Sequence, residues 1–129
     1  MSDLPIQAKI LVVDDEQKAQ TNLKRFLENK NFEVNIAYNG NEALERLEDF
    51  KPQCILLDIR MPYLNGIDTL KMIKDRQPSV EVIMVTGVTN LKIAEGCLRD
   101  GAFAVIEKPV NFEYLYRKIL QALQPGNKA

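Results

Sequence analysis

The sequence contains no histidine and has only two cysteines, Cys54 and Cys97. The lack of histidine excludes Ser-His-Asp and Cys-His catalysis, histidine metal sites, and a phosphohistidine intermediate carried by this chain. The cysteines have neither CxxC nor zinc-ligand spacing, which predicts small buried hydrophobic residues in a reducing compartment. Any chemistry therefore uses carboxylates, hydroxyls, lysine, or a metal ion held by oxygen atoms.

A strong excess of charge and long apolar runs are also missing. The net charge of −1 at pH 7 argues against a general nucleic-acid surface, which would be strongly basic. No apolar run approaches the roughly 18 residues of a membrane span, and the first residues, MSDLPIQAK, lack the core of a signal peptide. These features predict a cytoplasmic protein whose domain binds neither nucleic acid nor membrane.

Strand and helix signals alternate five times along the 129 residues, which suit one domain with a core at about 8–123 and a polar tail at 124–129. The predicted strands are 9–13, 32–37, 54–57, 82–85 and 104–106. Each strand precedes an amphipathic helix. Five such units predict a doubly wound α/β domain with a five-stranded parallel sheet.

For the first, fourth and fifth helices, the sequence predicts either the bounds or the residues that face the core. The first is expected to bury Ala19, Leu23, Phe26 and Leu27, which recur at helical spacing. The fourth is predicted at about 89–99. The fifth begins near Asn111 and is expected to bury a stripe that includes Leu120.

The predicted second strand alternates polar and apolar residues, whereas in the other four strands polar side chains follow at the end of an apolar run. The motif ILVVDDE ends the first strand at Asp14 and Asp15, and Asp58, Thr86 and Lys108 follow the third, fourth and fifth strands. In open parallel sheets, ligands bind at the carboxyl ends of the strands. Taken singly, each residue is as easily a turn former, a helix cap or a surface charge. Their shared position at one edge favours a site.

Three carboxylates in one pocket repel one another, and a hard divalent cation removes that conflict. Asp14, Asp15 and Asp58 therefore predict a Mg²⁺ site. Lys108 adds a positive charge and Thr86 a hydroxyl, which together form a cradle for a phosphoryl group. Asp58, alone on the middle strand, is the candidate nucleophile for an aspartyl phosphate.

These residues stand in four motifs: VVDDE at the first strand, LLDIRMPYLNG around Asp58, MVTG at Thr86, and GAFAVIEKP ending at Lys108 and Pro109. With this order and spacing, the chain resembles the receiver domain of two-component response regulators over nearly its whole length. The resemblance implies a flavodoxin-like sheet with strand order 2-1-3-4-5 and five helices.

The resemblance also implies a function without turnover of a separate substrate. Asp58 would accept a phosphoryl group from a phosphohistidine on a sensor histidine kinase or histidine phosphotransferase. Mg²⁺ would be bound directly by Asp15, largely through water by Asp14, and by Asp58 and the backbone carbonyl of Arg60. Lys108 would contact the phosphoryl group.

Further implications concern switching. The Lys108–Pro109 peptide bond would be cis. Thr86 would move toward the phosphate and shift a two-state equilibrium in the face formed by helix 4, strand 5 and helix 5. That face would contact a downstream target or a missing output domain, or form a dimer on phosphorylation.

One position departs from the family pattern. The family often has Tyr or Phe three residues before the lysine, as a switch coupled to the threonine, and this chain has Val105. A rearrangement of Thr86 and its loop remains open. Arg60 and Val88 lie where the family varies to tune the lifetime of the phosphoryl group, and Arg60 is expected to shield that group from water.

Three other functions compete with the switch. A phosphohydrolase of the haloacid dehalogenase type would need an acid two residues after Asp58, where this chain has Arg60. A phosphorylation-independent binding module is the second alternative, and Val105 leaves room for it. A flavin carrier would need a Ser/Thr/Gly-rich phosphate loop after the first strand. A stand-alone regulator and a piece of a longer one are both compatible with the sequence.

Overall fold

The computed structural model describes residues 7–61, 64–87 and 90–126. Five strands and five helices alternate along this part of the chain. The strands are β1 Lys9–Val13, β2 Glu33–Ala37, β3 Cys54–Leu57, β4 Glu81–Thr86 and β5 Ala104–Glu107. The helices are α1 Gln17–Asn29, α2 Gly40–Asp49, α3 Gly66–Arg76, α4 Leu91–Arg99 and α5 Phe112–Leu123. Every predicted element is present.

The strands form one sheet in the order β2-β1-β3-β4-β5, and every neighbouring pair is parallel. This topology confirms the predicted doubly wound fold. The direction of the strand order reverses between β1 and β3. Ligands bind at such a reversal in open α/β sheets.

Helices cover both faces of the sheet, and this explains why the central strands are almost wholly apolar. On one face, α2, α3 and α4 pack over a core that includes Leu11, Leu57 and Met84. On the other face, α1 and α5 pack over a core that includes Ile10 and Ile83.

Four of the helices in the described ranges begin at an asparagine N-cap. The side-chain oxygens of Asn39, Asn65, Asn90 and Asn111 each accept a hydrogen bond from a backbone N–H in the first turn of α2, α3, α4 and α5. The cap at Asn90 explains why α4 begins at Leu91 rather than near 89 as predicted. Among the described residues, no helix combines the length and the apolar character that a membrane span requires.

Two predicted core residues are exposed. Ala19 lies on the solvent side of α1, because the buried residues of that helix are Gln20, Leu23 and Leu27. Leu120 of α5 is 36% exposed. At position 19 the prediction was wrong because the neighbouring Gln20 faces the sheet instead. At position 120 it was wrong because Ile119, its neighbour in the same predicted stripe, is the residue that faces the sheet.

Candidate functional site

The sheet register places two of the predicted acidic residues side by side. Val13 of β1 pairs with Leu57 of β3, so Asp14 and Asp58 follow at the same level of the sheet. The backbone N–H of Asp58 donates to the carbonyl oxygen of Val13 over 3.1 Å. Both carboxylates therefore emerge at the carboxyl edge of the two central strands.

Lys108 reaches these carboxylates from the end of β5. Thr86 pairs with Glu107, and the backbone N–H of Lys108 donates to the carbonyl oxygen of Thr86 over 2.9 Å. The Lys108 ammonium lies 2.7 Å from Oδ2 of Asp14 and 3.0 Å from Oδ2 of Asp58. One cation thus bridges the ends of β1 and β3. The Lys108–Pro109 peptide bond is cis.

Burial strengthens these contacts. Asp14 and Asp58 are only 8% and 7% exposed, and charge pairs with little solvent around them are weakly screened. Partial burial alone would lower the pKa of Lys108, but its hydrogen bonds and charge interactions with Asp14 and Asp58 outweigh burial and raise this pKa above its ordinary value. Lys108 therefore stays charged at neutral pH.

Asp15 completes a cluster of three carboxylates. Oxygen atoms from Asp14, Asp15 and Asp58 all lie within 4.8 Å of one another, and Asp15 is exposed. Lys108 offsets only one of the three negative charges. Mg²⁺ binds one or two carboxylates and keeps several water ligands, so this half-open cluster with excess negative charge fits that ion.

The loop after Asp58 folds tightly back onto it. The backbone N–H of Gly66 donates to the carbonyl oxygen of Ile59 over 2.8 Å, and a Cβ atom on Gly66 would lie 2.0 Å from the carbonyl oxygen of Asp58. Only glycine allows such a close approach of two backbone segments. Arg60, whose side chain is exposed, donates a long backbone hydrogen bond of 3.3 Å to Oδ1 of Asp58.

Of the predicted switch residues, Thr86 lies at the end of β4 and Val105 lies in β5. Thr86 is fully buried. Val105 pairs with Met84 and is partly buried against the core on the α2–α4 face. A small aliphatic side chain therefore occupies this position in β5. Val88 lies outside the described residues.

The apolar pattern of the sequence fails to predict the burial of Gln20, a residue beside the site. Gln20 of α1 is 1% exposed, and its Nε2 donates hydrogen bonds to the carbonyl oxygens of Asp14 and Ala37. Its spacing to Leu23 and Leu27, three and seven residues, places it on the buried face of α1. That spacing is the only signal in the sequence, since a polar residue is ordinarily assigned to the exposed face.

Comparison with known proteins identifies a family for this chain. Residues 10–120 match the family model for the response regulator receiver domain. The transcriptional regulatory protein ZraR of Klebsiella oxytoca is 37% identical over 117 residues, which make up 91% of this chain and 26% of ZraR. The chemotaxis protein CheY of Listeria monocytogenes is 32% identical over 121 residues, which make up 93% of this chain and 98% of CheY. The chain thus spans about a quarter of ZraR and nearly all of CheY.

Solved structures show the same architecture. The crystal structure of a CheY-like response regulator receiver domain protein from Methanospirillum hungatei JF-1 has a TM-score of 0.86 and 34% sequence identity, covering 90% of this chain and 93% of that one. A two-component response regulator from Clostridium difficile has a TM-score of 0.88 and 29% identity, covering 95% of this chain and 100% of that one.

Proposed function

Because the chain belongs to the response regulator receiver domain family, we propose that it is a phosphorylation-dependent signalling switch with Asp58 as the phosphoacceptor. The observation that carries this proposal is the contact of Lys108 with both Asp14 and Asp58 inside a cluster of three carboxylates. The donor in this proposal is a phosphohistidine on a sensor histidine kinase or a histidine phosphotransferase.

Each side chain has a definite part in the proposed transfer. A carboxylate oxygen of Asp58 forms a bond to phosphorus while the bond from phosphorus to the donor nitrogen breaks. Lys108, already in contact with Asp58, stabilises the negative charge on the transferred group. Mg²⁺, when bound, would supply positive charge that offsets the charge of the phosphoryl oxygens. Asp14, Asp15, Asp58 and the carbonyl oxygen of Arg60 are its proposed protein ligands.

The switch itself is proposed to run through Thr86. Its side chain is fully buried at the end of β4, one residue before the loop that leads to α4. Movement of this hydroxyl toward the phosphoryl group would change the loop and the position of α4. Cys97 is the one α4 residue that is fully buried, so α4 is held by little core packing and its displacement costs little.

The proposed partner surface comprises α4, β5 and α5. Its exposed apolar side chains are Leu91, 76% exposed, Leu98, 48%, Tyr114, 44%, and Leu120, 36%. Exposed apolar groups on neighbouring elements are typical of protein interaction sites. The partner would be a downstream protein, an output domain of a longer chain, or a second copy of the chain after phosphorylation. The two buried free cysteines fit a reducing cytoplasm.

Acetyl phosphate, a small phosphoryl donor, tests the proposal without knowledge of the partner. We expect intact-mass analysis to show one phosphoryl adduct after incubation with acetyl phosphate and Mg²⁺, and nearly none when EDTA replaces the metal ion. A folded protein that binds Mg²⁺ and gains no adduct would contradict the proposal and favour the phosphorylation-independent module.

Replacement of Arg60 by alanine tests the proposed tuning role. The Arg60 side chain is exposed beside Asp58, and its removal should admit water to the phosphoryl group. We expect the adduct of Arg60→Ala to decay up to about tenfold faster than that of the wild type, a change of about 1.4 kcal/mol in the barrier. Decay is followed by intact mass after removal of the donor, with the exposed Arg76→Ala as control. An unchanged decay rate would exclude shielding by Arg60.

A further inference from the structure

Gln20 connects α1 to the acidic end of β1. Its side chain is buried, and its amide nitrogen donates to the carbonyl oxygens of Asp14 and Ala37, the latter over 3.0 Å. The carbonyl oxygen of Ala37 also accepts the backbone N–H of Asp14 over 3.1 Å. Both backbone polar groups of Asp14 are therefore hydrogen-bonded: its N–H donates to Ala37, and its carbonyl oxygen accepts from Gln20.

The orientation of the Gln20 amide is set by its neighbours. A reversed amide would place Oε1 against two carbonyl oxygens, and this contact would be repulsive. Both hydrogens of Nε2 are used in the observed orientation. Oε1 is buried and has no hydrogen-bond partner among the residues that the structure describes.

That arrangement is unfavourable for packing alone. A buried acceptor without a partner costs free energy, whereas an apolar side chain of similar size avoids this cost. Gln20 lies on the buried face of α1 together with Leu23 and Leu27, where leucine or methionine would suit the core. The contacts that glutamine makes, and an apolar residue cannot, are those to the ends of β1 and β2.

We propose that Gln20 is a positioning residue for the divalent cation: it holds the peptide unit between Asp14 and Asp15, the two adjacent residues that would help to hold the ion. This role rests on the proposed function, since it acts on the same Mg²⁺ site. Gln20 supplies two donors and no charge. A carboxylate there would repel both carbonyl oxygens.

The test compares Mg²⁺ binding by the wild type, Gln20→Met and Leu27→Val. Methionine keeps the size of the side chain and removes the donors, and a pocket of about 200 Å³ beside Gln20 leaves room for it. Leu27 is a fully buried residue of the same helix on the same core face, so its shortening perturbs α1 packing without touching the site. The chain has no tryptophan, so titrations with Mg²⁺ alone are followed by amide chemical shifts of the ¹⁵N-labelled full chain.

We expect Gln20→Met to raise the Mg²⁺ dissociation constant by about tenfold or more, as is typical when a group that orients a metal ligand is removed. Leu27→Val should bind Mg²⁺ as the wild type does. The amide resonance of Asp15 should also shift in Gln20→Met before Mg²⁺ is added, and it should not in Leu27→Val. Gln20→Ala provides an independent second variant with the same expected result.

Folded Gln20→Met and Gln20→Ala that bind Mg²⁺ as tightly as the wild type would overturn the role of Gln20 alone. Equal weakening in Leu27→Val would overturn it too, because any disturbance of α1 would then have the same effect. A wild type without saturable Mg²⁺ binding would overturn both this role and the proposed metal site.

Discussion

Asp58→Asn should form no phosphoryl adduct with acetyl phosphate and Mg²⁺ under conditions in which the wild type is largely converted. The amide of asparagine is a very weak nucleophile compared with a carboxylate, so the loss should exceed about a hundredfold in rate. The substitution keeps the shape of the side chain and removes one of three clustered negative charges. The variant should therefore remain folded, and circular dichroism checks this.

The matched control is Asp75→Asn. Asp75 lies in α3, is exposed, and undergoes the same loss of one charge on replacement. We expect Asp75→Asn to gain the adduct at the rate of the wild type. Equal phosphorylation of Asp58→Asn and Asp75→Asn would show that another residue is the acceptor.

Gly66→Ala should be severely destabilising and should also impair phosphorylation. The added Cβ atom would lie 2.0 Å from the carbonyl oxygen of Asp58 and 2.6 Å from Cα of Ile59. Both are backbone atoms, which cannot rotate away as a side chain does. We expect a loss of about 3 kcal/mol or more in the free energy of unfolding, a large share of the roughly 5–15 kcal/mol typical of a small domain.

Urea unfolding followed by circular dichroism measures this loss, and Gly96→Ala is the matched control. At Gly96, in the middle of α4, an added Cβ would meet only the Arg99 guanidinium group, at 3.7 Å. Alanine is the better helix former, so this variant should gain about 0.5–1 kcal/mol. Any fraction of Gly66→Ala that stays folded should phosphorylate slowly, because Asp58 is displaced. Wild-type stability in Gly66→Ala would contradict the close backbone contact.

The fold could be predicted from the sequence because its signals are local and repeated. Each central strand is covered by helices on both faces, and this forces an apolar run such as ILVV. Four helices begin at an asparagine cap, and one of these, Asn111, is identified from the sequence as the start of α5. The alternation of the two signals then leaves a doubly wound sheet as the simplest solution.

The convergence of the polar residues could be predicted only once the topology was assumed. Lys108 is 94 residues from Asp14 and 50 from Asp58 along the chain, yet it contacts both. Those contacts depend on the order of the strands, which the family resemblance supplied. The roles of Arg60 and Val88 and the movement of Thr86 stay predictions.

Gln20 shows where pattern reasoning fails. Periodicity assigns residues to the core by their apolar character. The Gln20 amide is buried and bonds to the ends of β1 and β2, but this method counts it as an exposed polar residue. Ala19 was assigned to the core for the same reason, and it is exposed. Whether residue 19 or residue 20 faces the sheet depends on how α1 is rotated about its axis. The hydrogen bonds of Gln20 to Asp14 and Ala37 help to set that rotation.

Chemical mapping shows whether Asp58 itself carries the phosphoryl group. Borohydride reduces an acyl phosphate of aspartate to homoserine and leaves free carboxylates unchanged. We predict that the phosphorylated wild type, reduced and digested, contains homoserine at position 58 and aspartate at positions 14 and 15. Homoserine at position 14 or 15, or a phosphoryl group that survives reduction on another side chain, would show that Asp58 is not the acceptor.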